Sequence, residues 1–227
     1  HGIILAGGYG TRLHPLTKVV NKHFFPVYDK PMIYYSLSIL LLFKIENITI
    51  VCNPEDELSF IKLLGYGDEF GVNISYRKQE KPEGIPHGIQ KGLSSGSEND
   101  FLVVLGDNFL HGREFFQEFY EKINQKSSVH IFTQEVKNPN EYGVALFKDK
   151  KLVDIVEKPE KRISNHAITG LYKFNSDFSE LFKHLDKSSR GEFEIVDLLK
   201  KYGLSNVNSN NIGRGTTWFD MGSFDNF

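Results

Sequence analysis

The chain has 227 residues, 40% hydrophobic and 25% charged, enough apolar material for a full core in one domain or two closely fused lobes. A formal net charge of −2 gives no global case for nucleic acid, and the most apolar stretch, residues 37–43, stops at Lys44, far short of the ~20 residues of a membrane span. The single cysteine, Cys52, excludes a disulfide framework and, at the end of an apolar run, reads as a buried structural thiol, with the cytoplasm as the natural compartment.

Residues 2–6 predict a first strand, with no signal peptide before it, and run into Leu5-Ala6-Gly7-Gly8-Tyr9-Gly10-Thr11-Arg12. Glycines in such a turn let backbone N–H groups approach phosphate oxygens, and the guanidinium supplies planar, multidentate donors. The spacing departs from two common phosphate loops. The third position of a Gly-x-Gly-x-x-Gly dinucleotide loop is Leu13 here, and Gly-Thr-Arg stands where a P-loop carries Gly-Lys-Ser/Thr. An ordinary tight turn after a strand is the alternative reading. Residues 1–30 hold Arg12, Lys18, Lys22 and Lys30 against Asp29 alone, a formal +3 that suits a small polyanion.

Further strands are predicted at residues 48–52, 74–77 and 101–105, short and rich in large apolar residues, as in a sheet covered on both faces. Pro31 is placed to open a helix carrying Ile33, Leu37, Leu40 and Leu41, and Phe116, Phe119, Tyr120 and Ile123 repeat the pattern. This alternation predicts an α/β fold, a Rossmann-like three-layer sandwich with a mostly parallel mixed central sheet that binds ligands beyond the carboxyl ends of its strands. The second half changes character, with strands at 129–134, 143–147, 152–156 and 167–174, a hairpin turn at 148–151 and helices near 177–184 and 194–202. A smaller second lobe fused to the sheet is the simplest arrangement. No internal repeat or low-complexity linker divides the chain.

Leu105-Gly106-Asp107-Asn108 places a carboxylate at a strand end beside a glycine, a position suited to Mg²⁺ against phosphate oxygens or to an ordinary turn. Trp218-Phe219-Asp220-Met221-Gly222 offers a second acid. Two carboxylates from distant strand ends would share one hard cation with a nucleotide; capping a helix or turn is the alternative for Asp220.

Taken in order, Leu-Ala-Gly-Gly-x-Gly-Thr-Arg-Leu at residues 5–13, Asn21-Lys22-His23, residues 28–35, residues 105–108, Tyr142-Gly143-Val144, Glu157-Lys158-Pro159, residues 169–172, residues 189–192 and Trp218-x-Asp220-x-Gly222 span essentially the whole chain. In these motifs the sequence resembles the sugar nucleotidyltransferases, and within them the glucose-1-phosphate thymidylyltransferases. The motifs end close to Phe227, which leaves a short-form member and a longer chain that continues past it both open.

The resemblance implies a nucleotidyltransferase fold with a nucleotide-binding half at about residues 1–110 and a sugar-binding half at 111–227 that contributes the second metal ligand, within one domain. It implies an enzyme that makes dTDP-glucose and pyrophosphate from dTTP and glucose 1-phosphate by Mg²⁺-dependent in-line attack on the α-phosphorus, in a homodimer or homotetramer, with no nucleic-acid or membrane partner. Arg12 and Lys22 are the implied catalytic residues. Leu5, Ala6, Gly7, Gly8, Gly10, Thr11, Arg12, Gln79, Gly84 and Asp107 are implied for the nucleotide. Tyr142, Gly143, Glu157, Lys158, Thr169 and Arg190 are implied for the sugar phosphate, and Asp107 and Asp220 for the metal. Glu157 and Lys158, being neighbours, serve one ligand only where their strand ends or bends.

The family continues Gly-Leu/Ile-Ala-Gln-Ala where this chain has Gly84-Ile85-Pro86-His87-Gly88, so Pro86 is expected to stiffen a loop and His87 to replace an amide, leaving dTTP and UTP both open as substrates. Transfer to another hexose 1-phosphate is the nearest variant. A non-catalytic nucleotide-sugar-binding regulator is a different class, disfavoured by the full set Arg12, Lys22, Asp107 and Asp220, and a nicotinamide dehydrogenase is disfavoured by the glycine spacing.

Overall fold

The computed structural model describes residues 1–93, 99–124, 129–213 and 215–223. Its elements in chain order are β1 (Gly2–Ala6), β2 (Pro26–Val27), β3 (Lys30–Pro31), α1 (Met32–Leu42), β4 (Asn47–Cys52), α2 (Glu57–Leu64), β5 (Asn73–Lys78), α3 (Ile85–Gly92), β6 (Phe101–Leu105), β7 (Asn108–His111) and α4 (Arg113–Ile123). They continue with β8 (Val129–Glu135), β9 (Gly143–Lys148), β10 (Lys151–Glu157), β11 (His166–Phe174), α5 (Phe178–Lys183), α6 (Ile195–Tyr202), β12 (Val207–Asn211) and β13 (Thr217–Asp220).

β6, β1, β4 and β5 lie side by side and parallel, with Leu5 opposite both Leu105 and Val51. All four therefore present their carboxyl ends along one rim, where β1 releases the glycine loop and β6 releases Asp107. β11 then pairs antiparallel to β6 and brings β8, β9 and β10 into the same sheet, with β12 parallel to β8. The second lobe thus grows out of the central sheet rather than standing apart from it. Neighbouring strand residues point to opposite faces, so Ile4 and Val104 enter one core with Ile33, Leu37, Phe60 and Phe115 from α1, α2 and α4. Ile3 and Val103 enter the other with Ile89, Phe178 and Leu198 from α3, α5 and α6. That is a three-layer α/β sandwich. Cys52 ends β4 fully buried, and burial above all pushes its thiol up to about 12, so it is an inert core residue.

The predicted strands form with bounds shifted by a residue or two, and the expected turn between β9 and β10 carries Asp149 and Lys150 at φ 49° and 63°. One expectation is corrected. Pro86 does not stiffen a loop: it lies in the first turn of α3, where its missing N–H would have had no helical partner. Among the described residues no helix is long and apolar enough to cross a membrane.

Candidate active site

The glycine loop leaves β1 as an irregular turn with Gly8 at φ 96° and Gly10 at φ 56°, conformations that disfavour a side chain. It is pinned from outside: Gly8 N donates to Asn53 Oδ1 at 3.2 Å, and Thr17 Oγ1 donates to Gly10 O at 2.7 Å. A short 3₁₀ turn, Thr11–Leu13, then buries Leu13 and leaves Arg12 exposed at the rim. Asp56 ties this region together, accepting from Asn21 at 2.6 Å and from Asn53 at 2.9 Å. The roles of Asn53 and Asp56 escaped sequence reading; the only local signal is an Asn-Pro step just after β4.

Lys22 opens another 3₁₀ turn, Lys22–Phe24, capped by Asn21, whose Oδ1 accepts from His23 N at 3.0 Å. The turn sends the Lys22 ammonium to Asp107 Oδ2 at 2.5 Å, with both side chains largely buried. Burial opposes the Asp107 charge, but the Lys22 ammonium above all, with the Asn108 amide, holds the carboxyl well below its ordinary range. His23 itself is lowered to about 3, first by burial and then by Lys22, so it is neutral.

Asp220 reaches Asp107 through strand pairing. β13 runs antiparallel to β7 with Asp220 opposite Asn108, and Met221 N donates to Asp107 O at 2.9 Å. Asp220 is raised to about 6, by burial first and by Asp107 second, against Arg12 and Lys22. Two carboxylates that repel each other in a partly buried setting suit a hard divalent cation. Among the described residues no group of three or more His, Cys, Asp or Glu could hold a metal, so a cation here would complete its shell with phosphate oxygens and water, as Mg²⁺ does.

Most of the residues expected to bind the sugar phosphate meet where β11 changes neighbour, pairing with β9 at His166–Ala167 and with β6 from Leu171 onward, with a register shift against β8 between Ile168 and Tyr172. The sheet opens there. One cleft is lined by Arg12, Asp107 and Asp220 together with Tyr142, Gly143, Glu157, Lys158 and Thr169, and its wall also includes Asn108, Tyr172 and Trp218. β10 ends at Glu157, and Lys158 turns into the left-handed region at φ 40° with its N–H on Tyr142 O at 3.0 Å, so the neighbours share the cleft wall as a strand end requires. Glu157 is raised chiefly by burial, opposed by Lys158 and Arg190.

Arg190 is not brought into this cleft. It stands in an adjoining depression, its guanidinium engaged by Glu194 at 2.6 and 3.1 Å and by Glu157 at 3.3 Å, so it braces Glu157. Gln79 and the glycine loop lie next to the cleft rather than in its wall. Gln79 is buried, and a Cβ on Gly7 would come within 2.9 Å of its Oε1. Gly84 is required by packing as well as by φ 99°: a Cβ there would fall on the Phe193 backbone carbonyl.

A sheet whose carboxyl rim carries a glycine loop, two cations and one acid, met by a second acid from the small β7–β13 sheet, defines a nucleotide-handling α/β protein, and residues 1–227 match the nucleotidyl transferase family. The chain is 42% identical to a glucose-1-phosphate thymidylyltransferase of Neisseria meningitidis over 99% of its length and 78% of that protein's, and 40% identical to one of Mycolicibacterium smegmatis over 99% and 78%. A Bacillus anthracis crystal structure assigned to the same enzyme, in complex with a sucrose, superposes with a TM-score of 0.89 at 36% identity, covering 99% of this chain and 91% of that one. A UDP-glucose pyrophosphorylase bound to UDP-glucose shares the fold, with a TM-score of 0.86 at 23% identity over 99% and 94%. The chain belongs to the nucleotidyl transferase family, among its glucose-1-phosphate thymidylyltransferases.

Proposed function

We propose that this protein transfers a thymidylyl group from dTTP to glucose 1-phosphate, giving dTDP-glucose and pyrophosphate. The observation that carries the reading is the convergence of Arg12 and the acid pair Asp107 and Asp220 with Tyr142, Gly143, Glu157, Lys158 and Thr169 on one cleft, with Lys22 bonded to Asp107 behind it. Names of relatives at about 40% identity supply the substrates.

A phosphate oxygen of glucose 1-phosphate attacks the α-phosphorus in line, the bond from that phosphorus to the bridging oxygen of the β-phosphate breaks, and pyrophosphate leaves with the electron pair. The nucleophile is already anionic at neutral pH, so alignment and charge neutralisation matter more than a general base. Arg12, at the rim beside the glycine loop, binds the triphosphate and stabilises charge growing on pyrophosphate. Lys22 holds the Asp107 carboxylate ionised and, when phosphate arrives, offers its remaining N–H donors to the reacting centre. Asp107 and Asp220 would hold Mg²⁺, which when bound offsets repulsion between the two anionic substrates. Glu157 accepts from sugar hydroxyls, and Lys158 pairs with the sugar phosphate, lined up by Tyr142, Gly143 and Thr169. Arg190 keeps Glu157 in place.

Gln79 reads the pyrimidine edge, with Gly84 and the backbone of residues 5–11 beneath the nucleotide. The nucleotide half, about residues 1–110, and the sugar half, 111–227, act as one unit because Asp220 returns to Asp107 from the second. A cytoplasmic location, on the single buried thiol, and a homo-oligomeric assembly, on the family resemblance, complete the reading.

Pyrophosphate release with dTTP, UTP and ATP, each paired with glucose 1-phosphate and galactose 1-phosphate, tests it. Release is expected to be fastest with dTTP and glucose 1-phosphate, with UTP the nearest competitor. No release with any pair overturns the proposal.

A further inference from the structure

An amide offers an acceptor at one end and a donor at the other, and a half-turn about its last bond exchanges them. A base reader such as Gln79 therefore discriminates only if something fixes that turn. In this chain Gln79 Nε2 lies 3.1 Å from His87 Nδ1, while Oε1 faces the backbone of Gly7 in the glycine loop and of Gly88 in α3, where added Cβ atoms would lie 2.9 and 3.4 Å from it. The residue that makes this contact is the one at which the chain departs from the family's usual glutamine.

His87 is held on the first turn of α3, just after Gly84, its ring 6.3 Å from that of Phe193. The groups around it are Glu83, with Oε2 3.8 Å from Nδ1, then Lys91, Lys187 and the Lys81 backbone. Lys187 is bonded to Glu83 at 2.7 Å, which spends part of the carboxylate's pull on the imidazole. Burial foremost keeps His87 below its ordinary range despite Glu83, so the imidazole is neutral, and facing Gln79 Nε2, which only donates, Nδ1 takes the lone pair and Nε2 the proton. That lone pair accepts an N–H from Gln79 and leaves the amide oxygen on the glycine-loop side.

We infer that His87 is a positioning residue that sets base choice: by holding the Gln79 nitrogen, it presents the amide oxygen to bases that carry an imide N–H, uracil and thymine, and against cytosine, whose ring nitrogen at that position is an acceptor. The inference rests on the assignment of Gln79 as the base reader. It gives the His87 departure a function, since an imidazole lone pair replaces the amide oxygen that a glutamine would supply.

The test measures binding of dTTP and dCTP by calorimetry, with turnover as a separate assay. His87→Leu removes the acceptor and frees the amide to turn, and the preference for dTTP over dCTP is expected to fall about tenfold, the size of one net hydrogen bond between neutral groups. His87→Gln, which restores an acceptor, is expected to bring it back, and in turnover the loss in His87→Leu is expected on KM. A His87→Leu protein with wild-type discrimination overturns the inference even where turnover confirms the proposed reaction. So does a wild-type protein that binds dTTP and dCTP equally, whatever its activity.

Discussion

The Trp218 indole N–H donates to Asn108 Oδ1 at 2.5 Å, joining residues 110 positions apart in sequence. The same oxygen accepts from Gly170 N at 3.0 Å, and the amide nitrogen donates to Asp107 Oδ1 at 3.1 Å. One buried amide thus ties the end of β6 to the opening in β11 and to the strand that carries Asp220. Asn108→Ala would leave one buried and one part-buried N–H donor unpaired and is expected to cost about 3 kcal/mol, read as a shift of the urea midpoint. Asn108→Asp keeps the acceptors but sets a charge beside Asp107, so its pyrophosphate release is expected to fall much further than its stability. A wild-type midpoint for the alanine protein would remove Asn108 as the junction.

Lys22 and Asp107 form the most buried ion pair of the cleft region. Asp107→Asn keeps the shape and removes the charge, and turnover is expected to fall by roughly 10²–10³, the scale of losing one electrostatic element in a preorganised site. Unfolding should stay cooperative, because the flanking strand pairs do not involve the carboxylate. In the wild type, chelation of divalent cations is expected to stop pyrophosphate release and added Mg²⁺ to restore it. Near-normal activity of Asp107→Asn with Mg²⁺ present is the result that would set this account aside.

Local pattern made the strands of the central sheet legible. β1 and β6 are unbroken apolar runs and β4 is broken only by Thr49 after its first residue, because helices cover both faces, and the helix of Ile33 and Leu37 shows its buried stripe. β12 was not legible, since Val-Asn-Ser-Asn-Asn has no apolar alternation and pairs with β8 through its backbone and the Asn208 and Asn210 amides. α3 hid behind a glycine and a proline that look like a loop but start a helix. For the site, residue types at motif positions identified the ligands of charge, whereas the bond from Lys22 to Asp107 and the registry of β7 with β13 depend on closure over long sequence distances. No local period encodes such contacts, so Asn53, Asp56 and the Asn108 junction emerged only from the fold.

Gly84 and Gly191 both have positive φ, at 99° and 77°, but only Gly84 meets backbone. Gly84→Ala is expected to destabilise by about 2–4 kcal/mol, combining dihedral strain with overpacking on Phe193. Gly191→Ala, with open space around its Cβ, should cost only about 1 kcal/mol. The displaced start of α3 would also carry His87 away from Gln79, so dTTP binding should weaken in the first protein. Equal thermal shifts for the two variants would contradict the packing argument.

His130, 3% exposed on β8, gives the fold a defined acid sensitivity. Its Nδ1 lies 3.1 Å from Asn210 Nδ2, which donates to it, and the imidazole is lowered to about 4 by burial first, then by Lys173 and Lys122, against Asp100. An unfolded chain binds a proton there near pH 6.5, the folded one near 4. Between those values the unfolded state carries more protons, so the His130 contribution is fully present above pH 6.5 and declines as pH falls toward 4. The loss is up to about 3 kcal/mol. His130→Gln keeps an acceptor for Asn210 and cannot be protonated, so its unfolding free energy should fall less between pH 7 and 4 than that of the wild type, by about that amount. Parallel pH profiles for the two proteins would show that His130 is not held neutral by the fold.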